Sequence, residues 1–383
     1  MVAITSITQT YSKNEVDRIR EIINENLTER KMSIRSNKET SSSPSTPSIT
    51  TSPTVSSTPT KWSTSPETSP ESTKHPPIEP TQVIVWRNVF AFVILHSSLV
   101  YGLFKLFTNP PWLTMAYAFV FGSFSGLGIT AGAHRLWSHR AYKAKLPLRI
   151  FLAILQTVCG QNNIYEWCRD HRVHHTYSET DADPHNANRG FFFAHMGWLC
   201  VKKHPDVINK GRLVDCSDLL EDPVVRFQKN YFLPLAILCC IIIPSAIPIV
   251  CWNESFWNAF MLAGLARYCI SLHFTWLVNS VAHLWGNRPY DVTIGARENK
   301  YVIIGALGEG FHNYHHTFPW DYSTSELGWR WNLTTCFINT MAKIGQAYDL
   351  KTAPVKMIDA RIRRTGNFKE HYSSHGNSVM STL

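Results

Sequence analysis

Gly308-Glu309-Gly310-Phe311-His312-Asn313-Tyr314-His315-His316 sets three imidazoles at i, i+3 and i+4. On a helix those positions fall within about 100° of one face. Neutral imidazole is a common ligand for iron, zinc and copper. The same spacing occurs upstream in His171-Arg172-Val173-His174-His175, and a looser pair, His134 and His139, precedes both. Threaded through a chain with membrane-length apolar stretches, the three clusters point to one site assembled from distant segments.

The apolar stretches set the fold. Four of them reach the roughly 20 residues that a bilayer crossing takes: about 89–107, 112–130, 232–252 and 256–277. Thr108-Asn109-Pro110-Pro111 joins the first two and Asn253-Glu254-Ser255 the last two, and neither link carries a Lys or Arg. Residues 133–230 and the C-terminal region carry many. The positive-inside rule then puts both termini and the long middle segment in the cytosol, with two helical hairpins pointing into the lumen. The expected fold is an all-α membrane protein of four transmembrane helices with a cytosolic helical cap. His134 lies just past the cytosolic end of the second span. His283 lies 27 residues after Phe256, about 40 Å along a continuous helix, beyond a hydrocarbon core about 30 Å thick. Both histidines therefore emerge with His139 and the two boxes, and the cap can hold a single histidine-rich site.

Composition agrees with a membrane setting. The chain has 383 residues and a net charge of +9. Its mean hydropathy is only −0.13, because a polar head offsets a greasy body, and its pI is about 9.1. A basic balance suits nucleic acid, an anionic membrane surface or a phosphorylated substrate; the apolar stretches favour the last two. The nine cysteines include no CxxC pair, so reduced thiols are expected rather than a disulfide framework or zinc ribbon. No short apolar core with a cleavage site opens the chain, so no signal peptide is expected. In residues 1–35, Val16, Ile19, Ile23 and Leu27 repeat at helical spacing behind Ser12-x-x-Glu15, which predicts a short amphipathic helix. Residues 36–80 are Ser/Thr/Pro-rich with few apolar side chains and are expected to be a disordered tail. The main domain is read as 82–350 and a cytosolic tail as 351–383. Ile150–Val158 is apolar but too short to span, so it is read as an interfacial or core helix. Arg267 falls inside the fourth span and must face the bundle interior, either in a structural pairing or toward a substrate.

Nine histidines are candidate ligands: His134, His139, His171, His174, His175, His283, His312, His315 and His316. One metal takes four to six ligands, so the set suits two metals. Adjacent histidines at the end of an HxxHH box can split between them. His134 and His139 are i, i+5, about 140° apart on an ideal helix, so the helix is expected to end or bend between them. Asn279 and His283 are i, i+4, so Asn279 could reach a metal-bound water. An all-nitrogen site suggests redox iron over hydrolytic zinc, which often keeps a carboxylate. Of the other histidines, His96 and His273 are read as hydrogen-bonded core residues. His185, His195 and His204 are candidate supports behind the ligands, and His371 and His375 are placed in the tail.

At this point the sequence resembles a membrane acyl-CoA desaturase of the stearoyl-CoA Δ9 type, over about residues 82–350. The likeness rests on Gly132-Ala133-His134-Arg135-Leu136-Trp137-Ser138-His139-Arg140 and on Glu166-Trp167-Cys168-Arg169-Asp170-His171 through His175. It also rests on Thr180-Asp181-Ala182-Asp183-Pro184-His185, on Trp276-Leu277-Val278-Asn279-Ser280-Val281-Ala282-His283, and on Gly308 through Tyr322. The resemblance implies two iron ions. One would take His134, His139, His171, His175 and His315; the other His174, His283, His312 and His316, with Asn279 holding a water. No catalytic residue beyond these ligands is implied. Two electrons and O2 would remove two hydrogens from adjacent methylenes of a long-chain acyl-CoA, leaving a cis double bond and water. The electrons would come from NADH through cytochrome b5 and its reductase. No His-Pro-Gly-Gly haem motif occurs here, so that cytochrome would be a separate protein. The likeness implies an endoplasmic reticulum membrane, and CoA on the cytosolic cap against Asn88, Asn162, Arg169, Asp170, Lys202, Lys203 and Trp276. The acyl chain would enter a kinked apolar tunnel. Gly122 and Gly126 form a GxxxG pair, read as close helix packing or as room for longer chains at the tunnel's end. Histidine-box hydroxylases share the metal chemistry but yield an alcohol, and a relative of Δ11 regiospecificity would keep every box. A metal transporter would need polar residues inside its spans.

Overall fold

The computed structural model describes residues 82–375 apart from Trp329. The amphipathic helix expected in 1–35 and the Ser/Thr/Pro stretch at 36–80 lie outside the described residues. Four helices are long and apolar enough to cross a membrane: α1 (Trp86–Thr108), α2 (Trp112–Ser138), then α5 (Phe232–Trp252) and α6 (Phe256–Leu284). Between them lie α3 (Leu146–Cys159) and α4 (Ile164–Tyr177), and after them α7 (His312–Thr317), α8 (Leu333–Lys343) and α9 (Val355–Thr365). The second and fourth spans run further than apolar composition alone predicts. Their histidine-bearing ends stay helical after the apolar residues stop.

α2 changes its winding. It is α-helical to Ser125 and π-helical from Gly128 to Ser138, and the His139 N–H reaches back five residues to the His134 carbonyl at 3.1 Å. The wider π turn brings residues five apart toward one face. His134 and His139 thus have ring centroids 5.0 Å apart. The helix does end before His139, but it is the π winding that closes the 140° gap. α3 lies against this segment so closely that a Cβ on Gly128 would fall 2.1 Å from the Gln156 backbone nitrogen. α3 buries Leu148, Leu152 and Leu155 and exposes Leu146, Ile150 and Ile154, the amphipathic pattern of a helix at the edge of a bundle.

The cap core gathers Trp137, Tyr142, Leu148, Leu152, Ile164 and Leu219. One short antiparallel pairing, β1 (Lys143–Ala144) with β2 (Ala347–Tyr348), ties the stretch after α2 to the stretch after α8; an all-helical reading has no place for it. α9, grouped with the tail on sequence, buries Ile358 and Ile362 against Tyr290, Tyr314 and Phe318. Each such side chain contributes roughly 1.5–3 kcal/mol on burial. His371, also assigned to the tail, is buried and bonded to Glu326 at 2.8 Å.

Arg267 in α6 is buried, and backbone carbonyls satisfy it. Its Nε donates to the Ala263 carbonyl at 2.9 Å, and its terminal nitrogens donate to Cys240 at 2.5 Å and Val158 at 3.4 Å. An unpaired charge at this depth would be far costlier. The guanidinium therefore clamps α3, α5 and α6 together.

Candidate metal centre and apolar cavity

Two arginines beside the histidines fasten the boxes to one another. Arg135, next to His134, is fully buried. It meets Glu309 at 2.8 Å, the Tyr322 carbonyl at 2.8 Å and Thr335 at 2.8 Å, which locks the stretch bearing the His312–His316 box onto α2. Arg172, next to His171, donates to the carbonyls of Trp137 and Ser138 at 2.6 and 3.0 Å and pairs with Asp218 at 2.7 Å. That holds α4 to the end of α2. The α4 N-terminus is capped by Asn163, which accepts the Glu166 N–H at 2.9 Å. Under the third box, Asn313 accepts from the N–H groups of Tyr290 and Asp291 and donates to the carbonyls of Asp291 and Ala296. All four of its hydrogen-bonding positions are used.

These clamps bring the histidines together in two groups. His134, His139, His171, His175 and His315 form one, and His174, His283, His312 and His316 the other, with the candidate ligand atoms of each within 4.8 Å of one another. The rings meet through Nε2. In the first group His134–His315 and His175–His315 are 3.0 Å apart and His139–His171 2.8 Å. In the second, His283–His312 is 3.0 Å, His312–His316 3.1 Å and His174–His316 3.3 Å. A metal about 2.1 Å from each nitrogen puts neighbouring ligand atoms about 3 Å apart. Hydrogen bonding alone cannot account for the pattern, since His315 and His312 each share a single Nε2 between two others.

The outer nitrogens fix the tautomers. His134 Nδ1 lies 2.7 Å from Glu309, His174 Nδ1 3.0 Å from Asp183 and His283 Nδ1 3.4 Å from Glu179. A carboxylate behind Nδ1 holds the proton there and turns the Nε2 lone pair inward. Burial opposes ionisation of Glu309, yet Arg135 and His134 hold its carboxyl down at about 2. Asp183 stays ionised in the same way, held well below the usual range by His174 and His185 against its own burial. Burial first, and then the neighbouring imidazoles, press His139, His171, His175, His312, His315 and His316 far below the usual imidazole value. These six rings are neutral, as ligands must be. The donor set fits two metal ions.

Three carboxylates, Glu309, Asp183 and Glu179, are thus functional neighbours that the histidine spacing did not single out. Of the supports expected behind the second box, His185 qualifies, with its ring centroid 4.3 Å from that of His174. His195 turns away to His273 at 2.9 Å. His204 caps the short helix that follows it, accepting the Asp206 N–H at 3.2 Å.

A cavity of about 400 Å³ opens below the histidines. It passes Met115, Gly122, Gly126 and Phe274 and ends at His134, His171, His174 and His312, with Asn279 in its wall. Thr275, in the cavity wall, accepts from Gln161 at 2.8 Å. The residues expected to meet a charged substrate are only partly assembled. Arg169 pairs with Asp170 at 2.9 Å, and Lys203 pairs with the same carboxylate. Asn88 and Lys202 stand where residues 83–88 pair with 199–202, Asn88 donating to the Leu199 carbonyl at 2.8 Å and the Lys202 N–H to Val83 at 2.9 Å. Asn162 is in a left-handed turn between α3 and α4. Trp276 is buried in α6 against Phe92 and His273.

Comparison with known proteins agrees with this architecture. The fatty acid desaturase family model matches residues 110–332. The chain is 59% identical to stearoyl-CoA desaturase 5 of Bos taurus, over 75% of this chain and 85% of that protein. It is 56% identical to the acyl-CoA Delta-9 desaturase of Acheta domesticus, over 78% and 83%. It is 54% identical to the acyl-CoA Delta12-desaturase of the same cricket, over 74% and 80%. Likeness of this extent, on a four-span helical body whose histidines meet at one end, makes the chain a member of the fatty acid desaturase family, in its membrane-spanning acyl-CoA branch.

Proposed function

We propose that the chain is an acyl-CoA Δ9-desaturase of the endoplasmic reticulum membrane, with its cap in the cytosol, a pair of irons on the nine histidines, and electrons supplied by cytochrome b5 and its reductase. The observation that carries this reading is the junction of two all-imidazole groups with the end of a long apolar cavity. When bound, two irons supply the redox chemistry that reduces O2 and draws hydrogen from unactivated methylenes. The rest is done by the chain's own residues. Glu309, Asp183 and Glu179 keep protons on the outer ring nitrogens. The apolar wall excludes water and lays the acyl chain along the cavity, so that one C–C bond sits beneath the histidines. On the cap, Arg169 and Lys203 share one carboxylate, Asp170, which leaves net positive charge facing outward for the CoA phosphates. Burial opposes the ionisation of Asp170, and Lys203 and Arg169 overcome it.

Expression in a cell without its own desaturase tests the proposal. New cis-Δ9 acyl chains, located by mass spectrometry, are the expected product. An alcohol, or no new double bond, would overturn it. The Δ12 relative gives a second reading of the regiochemistry, since it lies only slightly below the Δ9 relative in identity. Double bonds at Δ12 in the same experiment would establish that reading instead.

A further inference from the structure

A third imidazole cluster lies inside the membrane-spanning body, away from the nine histidines. His96 in α1 and His273 in α6 face each other with Nε2 atoms 3.1 Å apart. Cys269, one turn before His273, brings its sulfur within 4.8 Å of both, and it is a fully buried free thiol. His96 is ten residues into α1, about 15 Å from its start, so the cluster sits at hydrocarbon depth.

The proton positions along this chain of rings follow from the carbonyls at its two ends, those of Phe92 and Trp276. His96 Nδ1 lies 2.7 Å from the Phe92 carbonyl, which can only accept. Its proton is therefore on Nδ1, and its Nε2 presents a lone pair to His273. At the other end, Ser280 donates its one hydroxyl proton to the Trp276 carbonyl at 2.8 Å. His195 Nδ1, 3.0 Å from the Ser280 oxygen, must then be a donor. His195 Nε2 accepts from His273 Nδ1 at 2.9 Å. His273 is left with a lone pair on Nε2. Two lone pairs meet at 3.1 Å, where an electropositive centre belongs.

We propose that His96, His273 and Cys269 form a separate soft-metal site, specific for a monovalent ion of the Cu(I) class, that ties the first span to the fourth. The ligand set favours that ion for two reasons. A thiolate with two imidazoles is a soft donor set. One thiolate also cancels the charge of a monovalent ion, so the occupied site is neutral, whereas a divalent ion would leave a net charge among apolar side chains at high cost. The site shares no ligand with the two groups at the cavity end. Its occupancy is independent of the desaturase reading.

The test is a Cu(I) titration of the full iron-loaded chain in lipid nanodiscs, against a chromophoric Cu(I) chelator under reducing conditions. The wild type should retain one tightly held copper per chain. Cys269→Ser and His273→Asn should each lose it while their iron content stays at the wild-type level. X-ray absorption on the copper-loaded wild type should show one sulfur and two imidazole nitrogens, which separates the site from adventitious binding at the exposed thiols Cys251 and Cys336. Equal copper uptake by all three proteins, or a copper shell of sulfur alone, would overturn the proposal. So would no uptake by the wild type, which would mean that a proton bridges the two rings.

Discussion

At the scale of single residues, three of the inner-facing imidazoles, His134, His174 and His283, have a carboxylate behind them. Glu309 is the clearest case, a buried carboxylate 2.7 Å from His134 Nδ1 and 2.8 Å from Arg135. Glu309→Gln should keep the volume but release the ring, lowering iron affinity by about 10–100-fold, the usual cost of losing such a partner. Iron competition with a chelator measures this; unchanged affinity would deny Glu309 a positioning role. His315→Ala removes the Nε2 that His134 and His175 share. It should cut desaturation by more than about 100-fold without removing the protein from the membrane. Acid should act on the same groups. His139, His171, His175, His312, His315 and His316 are neutral when folded but titrate near 6.5 when unfolded. Below about pH 6.5 the unfolded chain binds more protons, so stability is complete above that value and falls as the solution is acidified. Thermal unfolding of metal-free protein in detergent between about pH 5 and 8 checks the sign.

At the scale of elements, α2 decides both the site and the cavity. Its glycines have different tasks. Gly128 permits contact with α3, and a methyl group there would overlap the Gln156 backbone. Gly128→Ala should cost at least the 1–3 kcal/mol typical of overpacking, read as a lower unfolding temperature. Gly122 and Gly126 line the cavity, and a Cβ on either would meet Arg267 Cγ or Leu307 Cδ1 at 3.1 Å. Leucine at Gly122 or Gly126 should shorten the space and shift preference from C18 toward C16 acyl chains, measured with paired acyl-CoA substrates. An unchanged ratio would mean that these glycines serve packing alone.

At the scale of the whole molecule, what the sequence made legible followed from local pattern. Apolar runs of membrane length and repeated HxxHH spacing gave the four spans and the end at which His134 and His283 emerge. What it hid depends on distant segments. The π winding of α2 is invisible to a reading that assumes 3.6 residues per turn. The Arg267 side chain could have served structure or substrate until the carbonyls of Cys240 and Val158 were seen around it. The role of Glu309 required Arg135, 174 positions away, and His195 joins His273 because the Phe193–Gly197 turn packs on α6. The proposed chemistry requires two metals within nine imidazoles at the cavity's end. Anomalous diffraction at the iron edge is the most direct measurement of it. Two peaks are predicted, one among His134, His139, His171, His175 and His315 and one among His174, His283, His312 and His316. A single peak, or iron elsewhere in the molecule, would contradict it.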